Sequence, residues 1–282
     1  EPIADSSMIP SYLIAQLVRK HCTVALGGDG GDELFGGYGY DRLLRMQKIL
    51  NIIPKSAGVL LSKSSEIFLP VGFKGRNYLQ GFSADLQTSL PLMTSFFDRT
   101  LRKKLLSGWS SLALNAEYIR EQRVPNHTDL LQRVTRMDFK NFLADDILVK
   151  TDRSSMINSL ELRSPFLDQH IIDFSFKRVP SHMKTTVSGR KLLLQQLTTR
   201  LLPENFDQKR KQGFSIPLAI WLQSAGWRDY FHDVLLGSDN SIFDSKEVKK
   251  LLDGQDKGRS NSERLFSLVM FELWREEYQG SM

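Results

Sequence analysis

The sequence predicts an α/β fold that is incomplete and mostly α-helical, with one or few parallel strands near the N-terminus. Three observations point there. A helix, a strand, a glycine loop and a helix open the chain in that order. Nearly everything downstream carries helical spacing broken by proline and glycine. A lone β-like run cannot make a parallel sheet without neighbours.

Taken in order, Ser11 to His21 puts Leu13, Ile14, Leu17 and Val18 on one helical face. Thr23 to Leu26 reads as a short buried strand. The stretch VALGGDGGDELFGGY (24–38) follows, and a helical pattern begins near Asp32 and runs to about Leu50. Further helices are expected over Pro54 to Phe68, Phe97 to Leu106, Asp129 to Leu143, Asp168 to Phe176, Arg190 to Leu202 and Glu263 to Tyr278. Arg163 and Asp168 are expected to be structural, in a turn fixed by Pro165 and closed by Asp168 as a helix N-cap. The partner strands of Thr23 to Leu26 are expected upstream of Glu1 or in another chain. A start at Glu1 rather than at methionine reads as a fragment of something longer.

At 282 residues, 41% hydrophobic and 25% charged, the chain has an ordinary globular makeup. No apolar run nears the roughly 20 residues of a membrane-spanning helix, so no membrane partner is expected. Cys22 is the single cysteine, which rules out an internal disulfide and makes a reducing cytoplasm the expected compartment. The net charge of +6 gathers locally at Arg102 to Lys104 and at Lys209 to Lys211. With no zinc spacing, RNA-binding aromatic signature or helix-turn-helix beside them, most of these charges read as solvated surface, the Lys209 to Lys211 cluster being the candidate exception, and no nucleic-acid partner is expected. The histidines His21, His127, His170, His182 and His232 show no metal spacing.

The glycine loop carries the chemistry. Glycines at a strand-to-helix junction let backbone N–H groups converge on an anion, phosphate being the usual guest. Asp29, Asp32 and Glu33 would repel a phosphate directly. A divalent cation between carboxylate and phosphates removes the conflict, so the loop suggests Mg·ATP or a related pyrophosphate species. The plainer account makes Asp29 an N-cap, with Asp32 and Glu33 complementing the helix dipole. That explains the acids but not Gly27, Gly28, Gly30 and Gly31 together. No Gly-Lys-Ser or Gly-Lys-Thr closes the loop, so it is not a P-loop.

LGGDGGDELFGGY (26–38) resembles the second nucleotide-site motif of the asparagine synthetase family, in its ATP-pyrophosphatase synthetase domain. LADDILVKTDRSSMINSLELRSPFLD (143–168), GRKLLLQQL (189–197) and RKQGFSIPLAIWL (210–222) match the same family in the same order. The resemblance runs from near Ser11 to about Leu222. It implies an adenine nucleotide alpha hydrolase-like fold, with residues 1–225 forming the C-terminal part of the synthetase domain and 226–282 a helical tail of it.

It also implies an ATP-dependent carbon–nitrogen ligase of the glutamine-hydrolysing asparagine synthase type. Such enzymes adenylate a carboxylate with Mg·ATP, release pyrophosphate, and let ammonia displace AMP to form an amide. Aspartate is the default acid, with a sugar acid, peptide or antibiotic precursor as the alternative; a degenerate, non-catalytic helical interaction domain is a further reading. Carried over, Gly27 and Gly28 pass close to the nucleotide, although the family more often has serine at Gly27. Asp32 binds Mg2+, and Asp29 helps manage the proton of the attacking amine. Lys191 holds pyrophosphate, and Lys211 is the catalytic lysine that neutralises growing charge. Asp146 is the acid expected to pair with Asp29, with Asp145 and Asp152 as alternatives in register. The family's Ser-Gly-Gly-x-Asp-Ser motif and its amino-terminal glutaminase domain are not in these residues. The missing upstream half and a glutamine-derived ammonia supply are therefore expected partners, a homodimer is compatible with the resemblance, and the isolated chain is expected not to turn over ATP.

Overall fold

The computed structural model describes residues 2–83, 86, 96–109, 112–206, 214–237 and 242–279. The chain forms two compact units, one comprising residues 8–53 and 122–214 and the other 1–7, 54–121 and 215–282. The described residues are mostly helical, with a small parallel two-stranded sheet.

The first unit carries the glycine loop. Helix α1 (Met8–Arg19) leads to strand β1 (Val24–Leu26), which pairs in parallel with β2 (Glu161–Arg163). Val24 lies opposite Glu161, Ala25 opposite Leu162 and Leu26 opposite Arg163. This corrects the expectation that every partner strand lies outside these residues, and it puts a strand far from the N-terminus. Glu-Leu-Arg offers no apolar run to flag a strand, and parallel pairing is a contact between distant segments.

The helix expected from Asp32 to Leu50 is two helices, α2 (Gly31–Phe35) and α3 (Tyr40–Leu50). The break falls at Gly36, whose φ of +76° is a left-handed conformation that stops a helix. Further along, the helix Leu130–Asp138 is capped by the Asp129 carboxylate, which accepts the Gln132 N–H at 2.9 Å. It does not stop at Leu143. It runs through a π-helical stretch, Phe139–Ile147, into the helix Leu148–Met156. After β2, a 3₁₀ turn spans Pro165–Leu167, and Asp168 caps the helix Gln169–Arg178 by accepting the His170 N–H at 2.8 Å. The structural role expected for Asp168 is the one it has.

A core cluster lies against α2. Leu34, Phe35 and Val179 are buried there, with Phe139, Phe166, Phe176, Met183 and Leu193 packed on them. Phe35 meets Phe166 edge-to-face, with ring centroids 5.8 Å apart. The apolar side of α2 thus anchors a five-residue helix too short to hold its shape alone.

The second unit is built of helices, with no strand among its described residues; its helices include Lys55–Phe68, Arg99–Leu105, Ala225–Leu236, Ser245–Asp256 and Ser262–Gln279. Its core includes Phe231, Leu235, Val248, Leu251, Leu265 and Val269. Part of the basic run at Arg102 to Lys104 has a structural use, because Arg99 and Arg102 both pair with the buried Glu117. No helix among the described residues is long and apolar enough to cross a membrane.

Candidate functional site

The site is built where β1 ends and α2 begins. The Gly27 N–H donates to the Arg163 carbonyl at 2.8 Å, tying the loop to the end of β2. Gly30 takes φ +88°, and a Cβ there would run into the Leu167 side chain, so this turn needs glycine. Gly30 is also the N-cap residue of α2, and no side chain caps that end. The capping account of Asp29 is therefore overturned, whereas Asp32 and Glu33 do occupy the first turn. Gly28 differs from Gly30. A Cβ on it would meet no heavy atom within 4 Å among the described residues, and its φ is not positive.

Asp32 and Lys191 are brought together. Asp32 Oδ2 lies 3.0 Å from Lys191 Nζ, and Asp32 Oδ1 is buried with no hydrogen-bond partner among the described residues. Lys191 stands at the N-cap of the helix Leu192–Leu201 with φ +52°, a left-handed conformation unusual for a side-chain-bearing residue. Its N–H donates to the Gly36 carbonyl at 3.3 Å. A Cβ on Gly37 would collide with the Asp32 carboxylate and the Lys191 side chain, so glycine makes room for this pair. Arg190 adds a second cation. Its guanidinium donates to the Gly37 and Tyr38 carbonyls at 3.5 and 3.4 Å and lies 3.6 Å from Asp41.

Asp29 lies on the loop with Ser164 Oγ donating to its carboxylate at 3.4 Å. Burial pushes its carboxyl above the ordinary value, while the Ser164 hydrogen bond and the Lys150 charge pull it back. Lys150 is buried on the helix Leu148–Met156. Asp146 is half-buried four residues earlier, in the π-helical stretch, and residues so spaced share a helix face. Asp145 pairs with Arg123, and Asp152 is exposed. Lys211 lies outside the described residues, as does Gly213.

Sequence reasoning named Glu33 only as a loop acid, without its burial, and passed over several other residues here. Glu33 is 1% exposed and accepts the Tyr38 hydroxyl at 2.5 Å. Burial pushes the Glu33 carboxyl up, against the pull of the Tyr38 hydrogen bond. The Tyr40 hydroxyl donates to Asp138 at 2.7 Å. Arg190 and Lys150 went unassigned, although both sit inside matched motifs. Only a signal for burial, such as the apolar Ile147, Leu148 and Val149 run before Lys150, could have singled that lysine out.

Among the described residues no three or more His, Cys, Asp or Glu side chains form a metal-holding cluster. Magnesium bound with nucleotide does not need one, since it keeps waters and phosphate oxygens and takes one or two carboxylates. The unpartnered Asp32 Oδ1, beside the cationic Lys191 and Arg190, fits a cation carried by a polyanion.

A family model described as asparagine synthase matches residues 1–276. Asparagine synthetase (glutamine-hydrolyzing) 1 of Bacillus subtilis (strain 168) is 30% identical over 280 residues, covering 97% of this chain and 43% of that protein. A protein of Mycobacterium tuberculosis (strain H37Rv), named provisionally for the same activity, is 31% identical over 281 residues, covering 97% of this chain and 42% of its own length. The chain thus spans about two-fifths of the length of these curated relatives.

Proposed function

The chain belongs to the asparagine synthase family, and on that premise we propose that it is the C-terminal part of an ATP-dependent amide ligase with an adenine nucleotide alpha hydrolase-like fold. In this reading, a carboxylate oxygen of the acid attacks the α-phosphorus of ATP and pyrophosphate leaves. Ammonia then attacks the acyl carbon, loses a proton and displaces AMP. Aspartate is the acid and glutamine the ammonia source, in keeping with the names of the relatives.

The observation that carries the reading is the Asp32 carboxylate, with one oxygen on Lys191 and the other buried and unpartnered. Asp32 would hold magnesium, which offsets the charge of the triphosphate. Lys191, with Arg190 beside it, would stay with the departing pyrophosphate. Gly27 and Gly28 would let backbone approach the nucleotide. Neither fold nor backbone demands glycine at position 28, so a ligand accounts for it better than packing does. Asp29 would take the proton of the attacking amine. A buried carboxylate with a raised pKa is a stronger base than a solvated one. Asp146, on the helix face of Lys150, would complete the acidic side, and Lys211 would act on the adenylated oxygen.

The sheet supports an incomplete domain. Parallel sheets are covered on both faces, yet Leu26 on β1 is 73% exposed. Strands from the upstream half would extend and cover this pair, so the 282 residues alone would not turn over ATP. The test is AMP and pyrophosphate release by the full-length protein with Mg·ATP, ammonia or glutamine, and a panel of carboxylic acids. Release with aspartate, abolished by Asp32→Asn, supports the reading, and release with another acid renames the substrate. No release with any acid from the folded full-length protein sinks it.

A further inference from the structure

We propose that Lys184 is a positioning residue for the acidic loop, acting with Ser175 and Thr185 to clamp the C-terminal end of α2 so that Asp32 is held in place. The proposal rests on the nucleotide-site reading of that loop.

Lys184 closes the short helix Ser181–Lys184 and is 0% exposed, so its ammonium is fully withdrawn from water. A buried ammonium ordinarily sits against a carboxylate, because desolvating a charge is costly. Among the described residues Lys184 has no such ion pair. Its Nζ donates to Ser175 Oγ at 3.1 Å and lies 4.9 Å from the centre of the Phe176 ring. Ser175 Oγ, itself 0% exposed, donates in turn to the Leu34 carbonyl at 2.6 Å.

Leu34 follows Asp32 by two residues, in the last turn of α2. The neighbouring Thr185 completes the grip, its hydroxyl donating to the Gly36 carbonyl at 2.7 Å. The carbonyls at a helix C-terminus lack intrahelical partners and carry partial negative charge, which a nearby cation stabilises. Lys184 and Thr185 therefore act on the end of α2 opposite the loop. A five-residue helix has no length over which an error at one end could be absorbed before it reaches Asp32.

A merely structural account does not explain the residue type. Methionine fills a similar volume without the cost of a buried charge, and such replacements are often neutral or stabilising. A lysine kept here at a cost to stability points to a use for its charge.

The test compares the full-length wild type with Lys184→Met and Ser175→Ala, which keeps the lysine but cuts the relay. The readouts are Mn2+·ATP binding by electron paramagnetic resonance, the melting temperature, and KM against kcat for Mg·ATP where turnover is seen. Lys184→Met should melt at or above the wild-type temperature and Ser175→Ala below it, because the buried ammonium then loses its acceptor. The folded fraction of both should bind Mn2+·ATP roughly 10–100-fold more weakly, as loss of an orienting partner does at metal sites. The double variant should be little worse than either alone, since the two residues form one relay. Unchanged Mn2+·ATP affinity in both variants overturns the proposal. So does a lowered melting temperature with normal affinity in the folded fraction, or a folded wild type that binds no Mn2+·ATP. Weakened binding in the variants beside a wild type that amidates no acid would sink the ligase reading and leave the clamp standing.

Discussion

Lys191 reaches Asp32 at 3.0 Å from a backbone held at φ +52°. A left-handed residue bearing a side chain costs about 1–2 kcal/mol, and a partly exposed ion pair returns at most ~1 kcal/mol. The pair therefore does not cover its own strain, which fits a lysine placed for a ligand. Lys191→Gly and Lys191→Ala both remove the ammonium, but only glycine relieves the backbone. The glycine variant should be more stable than the alanine variant by about 1 kcal/mol, while both show the same rise in KM for Mg·ATP. Urea unfolding and steady-state kinetics read the two effects separately, and equal stabilities would remove the argument from strain.

Asp32→Asn keeps the shape of the side chain and removes its charge. Because Asp32 and Lys191 are both about one-third exposed, folding should change by less than ~1 kcal/mol. Pyrophosphate release by the full-length protein should fall by about 100-fold or more, with Mn2+ affinity falling alongside it. A variant that loses activity only in proportion to lost folded protein would make Asp32 a structural ion pair.

Burial raises the Asp29 carboxyl above its ordinary value. A base must be deprotonated to accept a proton, so amination should fail as pH drops through this raised value, not through the ordinary one. The acid limb of the rate profile should therefore lie above that of a solvated carboxylate. Asp29→Asn should abolish the limb and lower kcat roughly 10²–10⁴-fold. A limb that persists in the variant belongs to another group, with the buried Glu33 the first to consider.

Two glycines separate ligand space from packing space. At Gly28 a Cβ meets no atom within 4 Å, so Gly28→Ala should leave the melting temperature almost unchanged while weakening nucleotide binding. At Gly37 a Cβ collides with Asp32 and Lys191, so Gly37→Ala should destabilise by about 1–3 kcal/mol. Thermal melts with and without Mg·ATP check both. Equal destabilisation by the two substitutions would mean that position 28 is not open.

Much of the fold was legible where the signal is local. The helix-forming patterns, the Asp168 cap and the glycine loop all depend on residues near one another in sequence. The break between α2 and α3 was overlooked because the apolar spacing continues through Gly36, although a left-handed glycine can end a helix within any such pattern. Strand β2 was illegible because Glu161, Leu162 and Arg163 become a strand only through pairing with β1. The motifs pointed to Asp32 and Lys191, which the fold brings together. Lys150 and Tyr38 did not stand out, and the burial of Glu33 did not show, because contacts from distant segments set their chemistry. Lys184 is the extreme case, since Ser-His-Met-Lys-Thr-Thr reads as polar surface, and yet it is among the largest fully buried side chains of the described residues.

That burial makes a last prediction. Desolvation, with the nearby Arg136 charge adding to it and Asp129 opposing it, brings the Lys184 ammonium from 10.5 down to about 8. The unfolded chain then binds more protons than the folded one between about pH 8 and 10.5. Stability attributable to this residue must rise with pH across that window, and below it the folded protein carries the whole penalty, on the order of 3 kcal/mol. Lys184→Met carries no such penalty. The variant's advantage in unfolding free energy over the wild type should be largest at neutral pH and shrink toward pH 10, since every other group titrates alike in the two proteins. Urea titrations of both proteins at several pH values check this. An advantage that does not vary with pH would mean that the ammonium keeps its ordinary affinity for a proton, with the Ser175 hydroxyl and the Phe176 ring fully replacing its lost water.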